Sequence, residues 1–232
     1  MNLRHRAAAV TAAAALAATG LALAPTAQAT APAGKAAAQP SVAKAATGTT
    51  SLAAVLTANG GGKFDKNWKD YDIVTQAVLA VLKAKPSSKV KVLTQGNVAV
   101  TAFIPNDRAF QLLVKSLTGK TLKSEKAVFA AVAGLGIPTV EAVLLYHVVP
   151  GATITAKQAL KSNGANLKTA LGSTIHVAVY PGPQISLWDK DRNSRNPRVI
   201  IAQTDINKGN KQIAHGIDRV LRPIDLPPKA HR

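Results

Sequence analysis

Apolar positions in this chain follow two rhythms. Helical spacing dominates from about residue 52 to 147, and strand-like alternation dominates from 167 to 221. Ser51 is placed to cap a short helix over 52–57, which Asn59 and the following glycines break. A longer helix is expected from about residue 70. Ile73, Ala77 and Val81 form one row on it, Val74, Val78 and Leu82 the next, and Pro86 stops it. Val98, Val100, Ala102 and Ile104 then alternate with Ala99, Thr101 and Phe103. Such a strand is apolar on both faces and belongs in a doubly covered interior. Pro105, with no N–H for a ladder, ends it. Asn106 caps the next helix, whose stripe is Phe110, Leu113, Val114 and Leu117.

Two more helices are expected, one capped by Ser124 and ending at 134–136, the other capped by Thr139 and running to about 147. Alternating segments follow at 167–170, 174–180, 185–188, 198–203 and 213–221, interrupted by a short helix near 155–160. Helices first and strands later predict an α+β domain in which a β-sandwich carries helices at one end. No internal repeat is visible, so one copy is expected.

Three segments carry a resemblance. The run TAFIPNDRAF (101–110), then LLYHVVPG (144–151), then AHGIDRVLRP (214–223) follow the order of the signatures of the fasciclin domain family, and the likeness covers roughly 51–224. It implies a fasciclin-like β-sandwich or wedge of about seven strands with helices packed at one end. It also implies a non-enzymatic role in adhesion or matrix contact. In some animal members the pair matching Tyr146 and His147 is tied to receptor adhesion, as is a short pattern matching Asp205 and Ile206. The family's usual Asn-Gly before the last histidine reads here as Gly209-Asn210-Lys211-Gln212, so an altered turn is expected before His215.

The first 29 residues change the setting. Arg4 and Arg6 precede an apolar run over 7–24, and Ala27-Gln28-Ala29 supplies a small-x-small cleavage pattern. This reads as a secretory signal and not a membrane anchor, because the run is mostly alanine; the mature form then carries no transmembrane anchor. Residues 30–50, rich in Ala, Thr, Pro and Lys, read as a flexible tether, and 225–232 as a basic C-terminal tail. A secreted, extracellular or wall-associated location follows.

No cysteine is present, which excludes disulfides, thiol catalysis and cysteine-bound metals. The formal charge is +18; removing residues 1–29 leaves 27 basic and 11 acidic residues, a net of +16. A cation of that size outside a cell gathers at anionic wall polymers, acidic polysaccharides or lipid surfaces. Lys83, Lys85, Lys89 and Lys91, around a Pro-Ser-Ser turn, are the densest contact candidates, joined by Arg192 and Arg195. The expected partner is an envelope or cell-surface protein or polysaccharide. No nucleic-acid motif occurs, and aromatics make up only 4% of the chain.

Individual side chains read mainly as framework. Val140, Val143, Leu144 and His147 share helical spacing, which turns His147 to the core, while Tyr146 lies on another face and is expected partly exposed. His215 shares a strand face with Ile213 and Ile217, and Asp218 is expected to pair with a nearby cation. His176 is expected to stand alone toward solvent. Ser88-x-x-Lys91 imitates a transpeptidase motif, with Lys168-Thr169-Ala170 near Lys-Thr-Gly, but Ser88 sits in a basic turn and no Ser-Asp-Asn accompanies it. Asp189, Asp191 and Asn193 imitate a calcium loop, yet Ser194 replaces its glycine and Ile200 its glutamate. The loop reads as a charged hairpin. No cofactor and no metal are expected.

Overall fold

The computed structural model describes residues 47–59 and 62–225. The signal at 1–29, most of the tether and the tail beyond Asp225 lie outside the described residues. The helices come first: α1 (Leu52–Ala58), α2 (Asp72–Ala84), α3 (Asp107–Thr118), α4 (Glu125–Ala133), α5 (Ile137–Tyr146) and, later, the one-turn α6 (Ala156–Ala159). A 3₁₀ segment, Lys89–Thr94, lies between α2 and the first strand. The strands are β1 (Val100–Pro105), β2 (Val148–Pro150), β3 (Asn166–Lys168), β4 (Thr174–Tyr180), β5 (Gln184–Trp188) and β6 (Gln212–Ile217). The expected count of about seven is therefore six among the described residues.

They form two three-stranded sheets, β2-β1-β6 and β3-β4-β5. β1 is the middle strand of the first sheet. It pairs antiparallel with β2 and parallel with β6, in a register running from Val100↔Gln212 to Pro105↔Ile217. All six residues of β1 and all six of β6 are buried. The sequence reason is visible in β1's two faces. Val100, Ala102 and Ile104 pack into the helical cluster with Ile73, Val81, Phe110 and Leu144. Phe103 packs into a second cluster with Tyr146, Ile175, Leu187, Ile217 and Leu221, beneath the meander β3-β4-β5. The α+β architecture is thus two sheets face to face, with helices on the outer side of the first.

Caps explain most helix starts. The side chains of Ser51, Asn106, Ser124 and Thr155 accept from backbone N–H groups in their first turns, and Thr155 and Gln158 form a capping box. Thr139 does not cap α5. That helix begins at Ile137 after Gly136, whose φ of 85° suits glycine, and Pro138 occupies its first turn. Leu117 is exposed at the end of α3 instead of completing its stripe.

Two strand expectations change. Residues 198–203 make only single bridges, Ser186↔Arg198 and Val199↔Ile217, before a 3₁₀ turn at Ile201–Gln203. Val148–Pro150, just beyond the helix expected to run to about 147, is a strand that the apolar pattern did not predict.

The ends of the domain are clasped. Gln212, fully buried, accepts from Leu52 N–H at 2.8 Å and donates to Val92 and Gln95 carbonyls at 2.7 and 2.9 Å. Gly48 to Thr50, tether by composition, bond to the turn at 209–211. No single described helix is long and apolar enough to cross a membrane; α4 and α5 pass such a test only together, across a 105° bend.

Candidate functional site

The motif residues converge on the boundary between the two hydrophobic clusters. Tyr146, expected partly exposed, is 0% exposed, and its hydroxyl donates to the Thr174 carbonyl at 3.0 Å. It ends α5, where the chain turns into β2, so the sheet β3-β4-β5 covers the ring. Burial pushes its phenol up to about 12. His147 is 4% exposed; Nδ1 donates to the Val143 carbonyl at 2.7 Å and Nε2 accepts from Leu221 N–H at 2.9 Å. Burial lowers its pKa to about 4, so it is a neutral link between α5 and the segment after β6.

His215 makes the complementary choice of tautomer. Its Nε2 donates to the Ile154 carbonyl at 2.8 Å, and its Nδ1 accepts from Asp205 N–H at 3.3 Å. Burial lowers its pKa as well. Asp205, at φ 56°, accepts from Ala156 N–H at 2.7 Å and pairs with Lys208 at 3.1 Å. Ile206 bridges Ala214 through two 2.9 Å backbone bonds. All four residues tied by resemblance to adhesion are thus engaged in holding elements together. Gly216 between them has a steric reason: a Cβ there would lie 2.3 Å from the Tyr71 hydroxyl.

The basic cluster divides. Lys83 is exposed in the last turn of α2. Lys85 forms an ion pair with Glu141, and hydrogen bonds from Lys85 and Ser88 hold that carboxyl below the usual range. Lys89 and Lys91 line a cleft of about 870 Å³ together with Lys168, which the sequence reading had not placed among the basic contacts. Its apolar surface includes Val92, Val149, Ile154 and Leu167. The wall is fixed where Ala170 N–H donates to Val148 O at 2.7 Å and Leu171 N–H to Leu145 O at 3.2 Å. No acidic side chain lines the cleft, and none of its three lysines has an ion-pair partner among the described residues.

The transpeptidase-like residues Ser88, Lys91, Lys168 and Thr169 also line this cleft. Ser88 is nevertheless buried, and its hydroxyl accepts from Val90 N–H at 3.2 Å as the cap of the 3₁₀ segment.

The calcium-like loop is organised by an internal cation. Asp189 and Asp191 accept from the backbone N–H groups of Asp191 and Asn193, both at 3.0 Å. Asp191, 1% exposed, also pairs with Arg222 Nη1 at 2.7 Å, while Asp189 accepts from Arg222 N–H at 2.8 Å. Arg222 thus supplies the positive charge there. Arg192 and Arg195 do not line the lysine cleft. Arg195 lies 3.9 Å from Asp218 and faces a separate groove of about 360 Å³ with Tyr180, Trp188 and Arg198. His176 is not alone: its ring meets that of Trp188 in a tilted contact at 5.3 Å and bonds Asn166 Oδ1 at 3.1 Å.

A cluster of five carboxylates at the starts of α2, α3 and α4 was also missed. The only sequence signal was the run Asp65-x-Asn67-x-x-Asp70-x-Asp72.

Among solved structures, a FAS1 domain pair from the insect cell adhesion molecule fasciclin I is similar at 20% identity and a TM-score of 0.45. The match covers 64% of this chain and 46% of that one, so this chain spans less than half of that structure's length. Comparison with curated proteins finds no match. The fasciclin domain family model matches residues 74–223, taking in β1, His147, His215 and β6. This chain belongs to the fasciclin domain family.

Proposed function

We propose that this protein is a secreted, non-catalytic binding module that makes adhesive or cell-envelope contact through the cleft beside Lys89, Lys91 and Lys168. Fasciclin domains commonly serve as adhesion or binding modules, typically in secreted or cell-surface proteins, and are generally non-enzymatic. The observation that carries the choice of surface is a cleft of about 870 Å³ whose three lysines have no ion-pair partner, and whose lining has no acidic side chain, among the described residues. Charge at the rim draws in an anionic partner and sets its orientation, while the apolar floor supplies contact area that salt does not screen. The partner class is an envelope or surface protein or polysaccharide, anionic wall polymers included. In this reading Tyr146, His147, Asp205 and Ile206 keep the framework in shape. Lys83, Arg192 and Arg195 add general attraction.

Binding of the purified chain to envelope extracts across a salt series tests this. Wild type is expected to keep a component that survives when screening has shortened electrostatic reach to about 10 Å and below. K89E/K91E/K168E is expected to lose that component. Equal binding by the triple variant sinks the cleft reading. Complete loss of wild-type binding at moderate salt favours a polyanion binder held by charge alone. A serine-hydrolase reading competes for the same cleft because Ser88, Lys91, Lys168 and Thr169 line it; covalent labelling of Ser88 by an active-site serine probe would favour it, and unchanged function in Ser88→Ala would remove it.

A further inference from the structure

Five of the chain's eleven carboxylates meet where three helices begin. Asp72, Asp107 and Glu125 stand in the first turns of α2, α3 and α4, and Asp65 and Asp70 come from the segment leading into α2. One oxygen each from Asp65, Asp70 and Glu125 lie within 4.8 Å of one another, as do oxygens from Asp70, Asp72 and Asp107. Asp107 and Glu125 are 0% exposed and Asp72 is 2% exposed.

Part of this charge has a structural use. Asp107 accepts from Ile73 N–H at 2.9 Å and Asp72 N–H at 3.2 Å, which caps α2 from a neighbouring helix. Glu125 Oε2 accepts from Asp65 N–H at 2.7 Å, and Asp70 Oδ2 from Asn67 Nδ2 at 3.1 Å. The other oxygen of Glu125, Oε1, is shielded from solvent and accepts from no donor among the described residues, while Asp70 also shares a side-chain hydrogen bond with Asp107. Burial and the hydrogen bond to Asp70 raise Asp107 to about 9, which leaves four carboxylates against three helix N-termini of roughly half a positive charge each. The chain holds 29 lysines and arginines, yet none of the four ion pairs among the described residues includes any of these five acids. A buried acceptor without a donor, together with like charge beyond what the helix ends offset, invites a cation from outside the chain.

We propose that Asp65, Asp70 and Glu125 bind one divalent cation of the calcium class, with Asp72 and Asp107 as the carboxyl layer behind it. The donor set is all carboxylate oxygen, which suits a hard ion. Bonds of about 2.3–2.6 Å to calcium allow two ligand oxygens up to about 5 Å apart, which accommodates the spacing here. Asp65 is exposed and gives the ion a way in, while Glu125 fixes its depth. Bound there, the ion ties the segment before α2 to the starts of three helices. This inference is independent of the lysine cleft.

The test uses the full chain stripped with a chelator. Terbium is added and its luminescence read through excitation of Trp68, which lies in the same segment. One terbium per chain is expected, displaced by calcium, with a calcium-dependent rise in melting temperature. Asp65→Asn, at an exposed position, is expected to keep the metal-free melting temperature and to weaken calcium binding by about tenfold or more. Glu125→Gln, close in shape, is expected to lose terbium luminescence. The proposal is overturned by absence of both luminescence and thermal shift at about 5 mM calcium, above the millimolar range of weak extracellular sites. It is equally overturned if both variants bind as tightly as wild type, which would mark the ion as adventitious.

Discussion

The motif core and the lysine cleft share strand β2 and Ile154, yet their polar groups are treated in opposite ways. In the core, the Tyr146 hydroxyl and both ring nitrogens of His147 and His215 each have a protein partner. In the cleft, Lys89, Lys91 and Lys168 have no ion-pair partner among the described residues. A residue whose bonds are all internal specifies the fold; a charge held at a rim without a partner is available to something else. The most recognisable residues of this chain therefore belong to the first kind.

Breaking the core side of this contrast gives the largest effects. Phe110→Ala, which empties a fully packed position in the helical cluster, is expected to cost about 3–5 kcal/mol by chemical denaturation. The next effect is one of pH. A histidine whose folded pKa lies near 4, against 6.5 unfolded, contributes stability that is present above pH 6.5 and is lost as pH falls toward 4. The loss amounts to about 3 kcal/mol when complete. Burial raises Asp72 and Asp189 to about 6, and they act in the opposite sense, losing stability as pH rises. The comparison of wild type with His147→Gln between pH 7.5 and 4.5 isolates the histidine. Equal acid sensitivity in the two would refute its neutral, buried role.

Asp205→Ala should follow at about 1–2 kcal/mol, since it removes the acceptor for Ala156 N–H and leaves a positive φ without a residue that tolerates it. Asp205→Asn should restore most of that loss. Smallest of all, K89E/K91E/K168E should move stability by less than about 0.5 kcal/mol, as exposed substitutions do. A large drop in its melting temperature would mean that the cleft is framework after all, and the contrast between the two regions would fail.

Legibility in the sequence follows the same division. β1, its Pro105 stop and the Asn106 cap were readable because each is a local matter of alternation, a missing N–H and a side-chain acceptor. His147 was readable as a core residue from helical spacing. Tyr146 was not, because a neighbouring sheet covers the face it occupies, and helical spacing is blind to that sheet. Residues 198–203 alternate like a strand but make isolated bridges, since a period-two pattern records which side is apolar and not whether a ladder partner exists. The cleft draws Lys89, Val149 and Lys168 from three distant stretches, so no single window of sequence contains it. The carboxylate cluster was hidden likewise, with Asp107 and Glu125 far along the chain from Asp65.

The parallel pairing of β1 with β6 has a consequence in time. Val100 meets Gln212, and until the last strand has been made β1 carries an open, apolar edge with nothing to lie against. Pairing across so much chain makes folding slow for a domain of this size, because loop closure precedes its reward. Synthesis that stops short of residue 212 leaves an aggregation-prone fragment instead of a shortened domain.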